Sequence, residues 1–359
     1  MKEEMQHFLA LYTHTFHQKT CVQVTTCTNI STGWEGDLLS LRLDYKEAGE
    51  YRTEEVVLKL YHGQNSGRKA KKEFRNLQQL AQIGYPVPHT LFLALEDSPF
   101  GRAAVAMEKI QGQTAADLFD QSTQEQQQAL VAQCCQLYID LHALDWTVFV
   151  SNPARYQTTN TLHVWLEQMR YACNQQLPRV FDPVIEWLEK RYQEVPCQRL
   201  SVLHGDFHLN NLIMRDDGTL FVIDWTGTGV SDYRFDLAWT LLLQRSQGAT
   251  KLANMVLEEY ERLAGHRIEQ FAFFEVIACL KRLFDIAVSL HNGAATLGMK
   301  PTAEEEMKQQ VNRIEAVYAQ LQEWVARPLP EIEQLILTMR KEPTFSPRHF
   351  LTGDKRSGK

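Results

Sequence analysis

VLHGDFHLNNLIMRDDGTLFVIDWTG, residues 202–227, is a β-like island in a region otherwise spaced for helices. Two β-favouring runs, Leu212 to Met214 and Thr219 to Asp224, flank Arg215-Asp216-Asp217-Gly218, and Asp-Gly closing a tight loop is a strong hairpin signal. With Asp216 and Asp217 as the turn, Met214 faces Thr219, Asn211 faces Val222, and Asp224 lies one pleat past Asn211 at the open end. Asp206 and His208 stand on the loop before the first strand. Asp206, Asn211 and Asp224 then converge on one small volume, which residues serving only as turn formers have no need to do. Magnesium takes oxygen ligands, one or two from protein and the rest from phosphate and water. Asn211 and Asp224 can supply them while Asp206 stays free to accept a hydrogen bond from an alcohol, the arrangement that phosphoryl transfer requires.

Upstream, residues 1–20 read as a lead-in helix, and Val22 to Leu60 as a three-strand antiparallel meander rich in Val, Thr, Leu and Tyr. GRKAKKEFRNLQQLAQIG places Phe74, Leu77, Leu80 and Ile83 three apart and stops at Gly84, an amphipathic helix. HTLFLALE and RAAVAMEKI complete a five-strand sheet, with a hinge near 106–112. Helical spacing then dominates, notably Gln124 to Leu144 and Leu162 to Gln176, with Pro153, Pro178 and Pro183 as breaks. The expected organisation is α+β in two lobes: a sheet lobe over 1–112, a helical lobe over 113–342 enclosing the hairpin 203–225, and a mobile tail over 343–359. From Arg327 onward Pro, Ser, Gly and basic residues accumulate and no apolar period is expected.

His204-Gly205-Asp206-Phe207-His208-Leu209-Asn210-Asn211, then Ile223-Asp224-Trp225, then Asp236-Leu237-Ala238, resembles the signature of the aminoglycoside phosphotransferase family, whose fold is protein-kinase-like. The resemblance implies an ATP-dependent enzyme, with GTP an open alternative, that uses Mg²⁺ held by Asn211 and Asp224 and has Asp206 as catalytic base or hydroxyl-orienting acceptor. It further implies that Lys59 of VVLKLY and Glu73 of KKEFRNL pair to hold the nucleotide phosphates. Gly33 and Gly36 would belong to a phosphate-covering turn, the backbone near Glu108 and Ile110 would pair with the adenine edge, and His204, His208 and Asp236 would support the catalytic loop.

The acceptor is expected to be a small alcohol. Gly205 stands where protein kinases carry arginine, and the short stretch from Asp224 to Asp236 leaves no room for a protein-binding activation loop. Asp232, Trp165, Glu167, Trp239 and Asp285 are the candidate lining of the acceptor pocket, and excess acid would favour a cationic or polyhydroxylated alcohol. Two rival readings are a nucleotide-binding regulatory module and a protein kinase of the same fold. The whole chain bounds these readings. Its 359 residues carry a net charge of −7, so a nucleic-acid or membrane role would need a local basic patch. Seven scattered cysteines with no Cys-x-x-Cys spacing read as reduced thiols, and the absence of a signal or spanning segment reads as cytoplasmic.

Overall fold

The computed structural model describes residues 2–341 except 31–33, 35, 64, 96, 98–99, 159 and 301. Gly33 and the segment 343–359 therefore lie outside the described residues. Helix α1 (Lys2–Thr15) leads into β1 (Lys19–Asn29), β2 (Gly36–Glu47) and β3 (Glu50–Tyr61); α2 (Ser66–Gln82), β4 (Thr90–Ala94) and β5 (Ala104–Glu108) follow. The strands form one antiparallel sheet in the order β1-β2-β3-β5-β4.

Strand periodicity decides which side chains of β3 meet which layer. Val56, Leu58 and Leu60 are buried with Phe8 and Tyr12 of α1, whereas Tyr61 belongs to the cluster holding Leu77 and Leu80 of α2. Lys59 has the parity of Tyr61 and faces α2. Ile83, expected on the apolar stripe of α2, is 48% exposed because it caps the helix, and Gly84 at φ +81° ends it.

Beyond the sheet come β6 (Gln113–Thr114), α3 (Ala115–Gln121), α4 (Gln124–Ala143), α5 (Pro153–Thr158), α6 (Thr161–Gln176) and α7 (Asp182–Glu189). Thr123 and Gln126 close a capping box at the start of α4. Pro153 and Pro183 sit in first turns, where the missing N–H is harmless, so they begin helices as well as breaking the preceding ones. The island supplies β7 (Leu200–Leu203), β8 (Leu212–Met214), β9 (Leu220–Val222) and β10 (Gly229–Asp232). Last come α8 (Arg234–Ser246), α9 (Thr250–Ala264), α10 (Phe271–Asn292), α11 (Ala303–Lys308), α12 (Val311–Val325) and α13 (Pro330–Lys341).

Two further expectations need correction. The hairpin register is shifted by one: Met214 pairs with Leu220 and Leu212 with Val222. Arg215 N–H donates to Thr219 O and Gly218 N–H to Arg215 O, with Gly218 at φ +83°, so the loop takes one more residue than a two-residue turn. Asn211 still closes the hairpin, because its carbonyl accepts Ile223 N–H at 2.9 Å. The second correction is α13, where Ile332, Ile336 and Met339 recur at helical spacing and are buried against the C-terminal core. All seven cysteines are free, and no helix among the described residues is long and apolar enough to cross a membrane.

Candidate active site

Asp206 lies between β7 and the short turn Leu209–Asn211, on a loop fixed mainly through its backbone. Asp236, buried in the first turn of α8, accepts His204 N–H at 2.7 Å and Gly205 N–H at 2.8 Å. His204 Nδ1 accepts Asp206 N–H at 3.1 Å, which leaves Nε2 to donate to Ile223 O at 3.0 Å. Burial lowers the His204 pKa, so the neutral tautomer these bonds need is the favoured form.

Gly205 has φ +84°, and a Cβ there would meet Gly227 O at 2.7 Å; a Cβ on Gly227 would meet His204 O at 2.9 Å. The loop that carries Asp206 and the loop after Asp224 thus touch backbone to backbone. The arginine that protein kinases carry at the place of Gly205 would not fit this contact.

The Asp206 carboxylate accepts Trp239 Nε1–H at 3.0 Å on Oδ1 and Asn211 Nδ2–H at 3.3 Å on Oδ2, where His208 Nε2 also lies at 3.3 Å. Burial works to raise its pKa but is outweighed by the His208 hydrogen bond and charge and by Trp239, so the carboxyl is held well below its ordinary range. His208 moves the other way: burial lowers its pKa, and Asp206 more than compensates.

Asn211 turns its amide N–H₂ to Asp206, also reaching Asp206 O at 2.9 Å, so its Oδ1 faces elsewhere. Asp224 sits at φ +61° after β9; its Oδ1 lies 2.7 Å from Lys59 Nζ and 2.9 Å from Thr226 Oγ1. Burial would raise the Asp224 pKa, but Lys59 lowers it overall. Among the described residues no hydrogen bond falls on Asn211 Oδ1 or Asp224 Oδ2. Two hard oxygen donors are left, which fits Mg²⁺ completed by phosphate and water.

Lys59 Nζ reaches Glu73 at 3.1 and 3.0 Å and Thr226 Oγ1 at 2.6 Å. Its pKa is raised although burial opposes this, because Asp224 and Glu73 flank it. Glu73 is further fixed by Tyr61 OH and by Trp225 N–H at 3.2 Å. Tyr61, Thr226 and His142, which lies 3.4 Å from Asp236, were not singled out from sequence. Tyr61 was legible in principle, being two residues past Lys59 on the same strand face.

Other candidates divide. A Cβ on Gly36 would meet Leu60 O at 2.8 Å, so tight packing between β2 and β3 already requires that glycine. Glu108 commits its N–H to His89 O at 2.8 Å and its carboxylate to Arg215, whereas Ile110 N–H meets no backbone carbonyl among the described residues. Of the expected acceptor lining, Trp239 touches Asp206. Asp232 does not line a pocket: it is fully buried, with Oδ1 and Oδ2 bonded to Arg234 at 2.9 and 2.7 Å and Oδ2 accepting Gln198 N–H at 2.9 Å. Glu167 is exposed, Trp165 packs on Phe235, and Asp285 pairs with Lys281 at 2.7 Å.

Comparisons with known proteins agree on the frame. Residues 30–274 match the Phosphotransferase enzyme family. Acyl-CoA dehydrogenase family member 10 of Mus musculus is 27% identical over 277 residues, taking in 67% of this chain and 25% of that protein. The chain thus spans about a quarter of the length of that curated relative. Among solved structures, aminoglycoside phosphotransferase APH(4)-Ia superposes with a TM-score of 0.56 at 15% identity, covering 88% of this chain and 98% of its own. The streptomycin–ATP–APH(2")-IIa ternary complex gives a TM-score of 0.53 at 18% identity, covering 87% and 95%. These likenesses establish the fold, a protein-kinase-like pair of lobes with an antiparallel sheet first and helices after.

Proposed function

The chain belongs to the Phosphotransferase enzyme family, and from that premise we propose that it transfers the γ-phosphoryl group of ATP to a hydroxyl of a small molecule. One observation carries the reading: Asn211 is bonded to Asp206 and, through its carbonyl, to Ile223 beside Asp224, while Asp224 is paired to Lys59 and Lys59 to Glu73. Lys59, held charged, faces the nucleotide phosphates. Asn211 Oδ1 and Asp224 Oδ2 would hold Mg²⁺, which when bound offsets charge on the phosphate oxygens.

Asp206 accepts the hydrogen bond of the acceptor hydroxyl and aims its oxygen at the γ-phosphorus. As that oxygen bonds to phosphorus, the bond to the bridging oxygen breaks, the nucleoside diphosphate leaves and the hydroxyl proton passes to Asp206. A carboxylate with a depressed pKa is a weak base, and the loose transition state of phosphoryl transfer asks for orientation more than for proton abstraction. A small acceptor is further supported by the segment after Asp224, which folds as a short turn and then as β10 against β7.

The test is a nucleotide-depletion screen over an alcohol library with Mg²⁺, followed by phosphorus NMR of the product. With the substrate in hand, Asp206→Ala should cut kcat by about 10²–10⁴ while nucleotide affinity stays near wild type. Near-normal turnover would remove the assignment. Asp224→Asn should weaken Mg²⁺-dependent nucleotide binding and activity together, and unchanged binding by calorimetry would place the metal elsewhere.

A further inference from the structure

Helix α10 packs on α8, the helix of Trp239, and carries Lys281 and Arg282. Lys281 Nζ stands 4.4 Å from the ring centre of Trp239, the residue bonded to Asp206 Oδ1. The guanidinium of Arg282 lies over Trp34, with Cζ 4.5 Å from the ring centre. Trp34 comes from the connection between β1 and β2, and its carbonyl accepts Lys300 N–H at 2.7 Å, so both lobes frame Arg282.

Among the described residues Arg282 makes no hydrogen bond and no ion pair. The ring of Trp34 covers one face of its guanidinium and satisfies none of its five N–H groups. Burial lowers its pKa, a nearby Arg313 adds to this, and the charges of Asp285 and Asp206 oppose it. Asp285 is already bonded to Lys281, and Asp206 to His208 and Trp239. The unpaired charge beside Trp34 is positive.

We propose that Arg282 receives an anionic oxygen group of the acceptor, a carboxylate or a phosphate, while Asp206 holds the hydroxyl. The inference rests on the phosphotransferase reading above and names its substrate class. The fork of N–H donors matches either anion in a two-bond grip, which lysine does not reproduce. A cationic amino sugar would meet Arg282 as a like charge, so in place of the amine acceptor expected from the acidic net charge we propose a hydroxylated anion.

The experiment uses the full chain with Mg²⁺ and ATP and a panel of matched acceptors: hydroxycarboxylic acids, their primary amides, glycerol 3-phosphate, glycerol and kanamycin. For an anionic acceptor the wild type should show kcat/KM at least about 10-fold above its neutral twin, the scale of one charge-assisted hydrogen bond. Arg282→Met should raise KM for the anion on the order of 10–100-fold, more than it lowers kcat, and bring the anion-to-neutral ratio near one. Arg282→Lys, which keeps the charge, should fall between, and thermal unfolding with ATP checks that both variants fold. Carboxylate and phosphate are separated by which pair shows the ratio.

Equal turnover of neutral twins, or preference for kanamycin, overturns the inference and leaves the phosphotransferase reading standing. So does an Arg282→Met effect confined to kcat or to KM for ATP, which would assign the guanidinium to the transferred phosphoryl group. Binding of ATP without turnover of any anion on the panel also counts against it. Failure to bind ATP at all would sink the premise itself.

Discussion

The loop that carries Asp206 and the cluster around Lys59 are held by different means. Around Asp206 the anchors are backbone groups: His204 and Gly205 N–H on Asp236, Asp206 N–H on His204, and Ile223 O under the same imidazole. Around Lys59 the anchors are side chains from β3, α2 and the loop after β9, joining residues 14 and 165 positions apart. A loop pinned by its main chain keeps its path when one exposed side chain changes. A cluster of side chains keeps its geometry only while each partner is present.

The sharpest break should come at Asp236. Asp236→Ala removes a fully buried carboxylate and leaves the buried His204 N–H and the part-buried Gly205 N–H without their acceptor, which should cost about 3–5 kcal/mol in denaturant unfolding. A loss below about 1 kcal/mol would mean that another group holds the loop.

Gly205→Ala comes next. It places Cβ against Gly227 O and keeps φ at +84°, a strain of about 1–3 kcal/mol. Activity should fall more than calorimetric nucleotide affinity, because the strained residue is next to Asp206 and reaches Lys59 only through Gly227 and the Thr226 side chain. Equal loss of both would show that the two regions are mechanically one.

For the lysine cluster the expected signature is coupling. Lys59→Met and Glu73→Gln should be non-additive in kcat/KM by about 1–3 kcal/mol in a double-mutant cycle, since each leaves the other buried and misplaced. Zero coupling would assign Glu73 to Tyr61 and Trp225 alone.

The smallest effect concerns protonation. His208 has a raised pKa, so its pairing with Asp206 is fully present below the ordinary histidine value and is lost as pH rises through the raised one. Asp206, depressed, contributes above its ordinary value and loses that only as pH falls through the depressed one. Asp206→Asn should therefore move the His208 titration downward in proton NMR, because burial is then opposed only by the Asp224 charge and a backbone hydrogen bond. An unmoved midpoint would show that Asp206 does not set it.

Local signals made much of this legible. Alternation over Val22 to Leu60 marked the strands, Asp-Gly marked the hairpin, and the spacing of Asp206, Asn211 and Asp224 marked the candidate site. The hairpin register was harder, since a loop with Gly218 at positive φ takes one residue more than a two-residue turn, and the helix over Pro330–Lys341 was hidden by flanking polar residues. Asp232 looked like an acidic pocket lining because a sequence does not show that Arg234 folds back onto it.

By itself the sequence determined the order of strand lysine, helix acid, loop aspartate and hairpin-end aspartate, and with it the kind of reaction proposed, since that chemistry depends on residue types at short and fixed spacings. Only the tertiary structure decided which charges are cancelled. Asp232, Asp285 and Asp224 find cations, while Arg282, beside Trp34 and in range of Asp206, finds none among the described residues. Net charge sums every ionised group equally, but a ligand meets only those that folding leaves unpaired in its cleft.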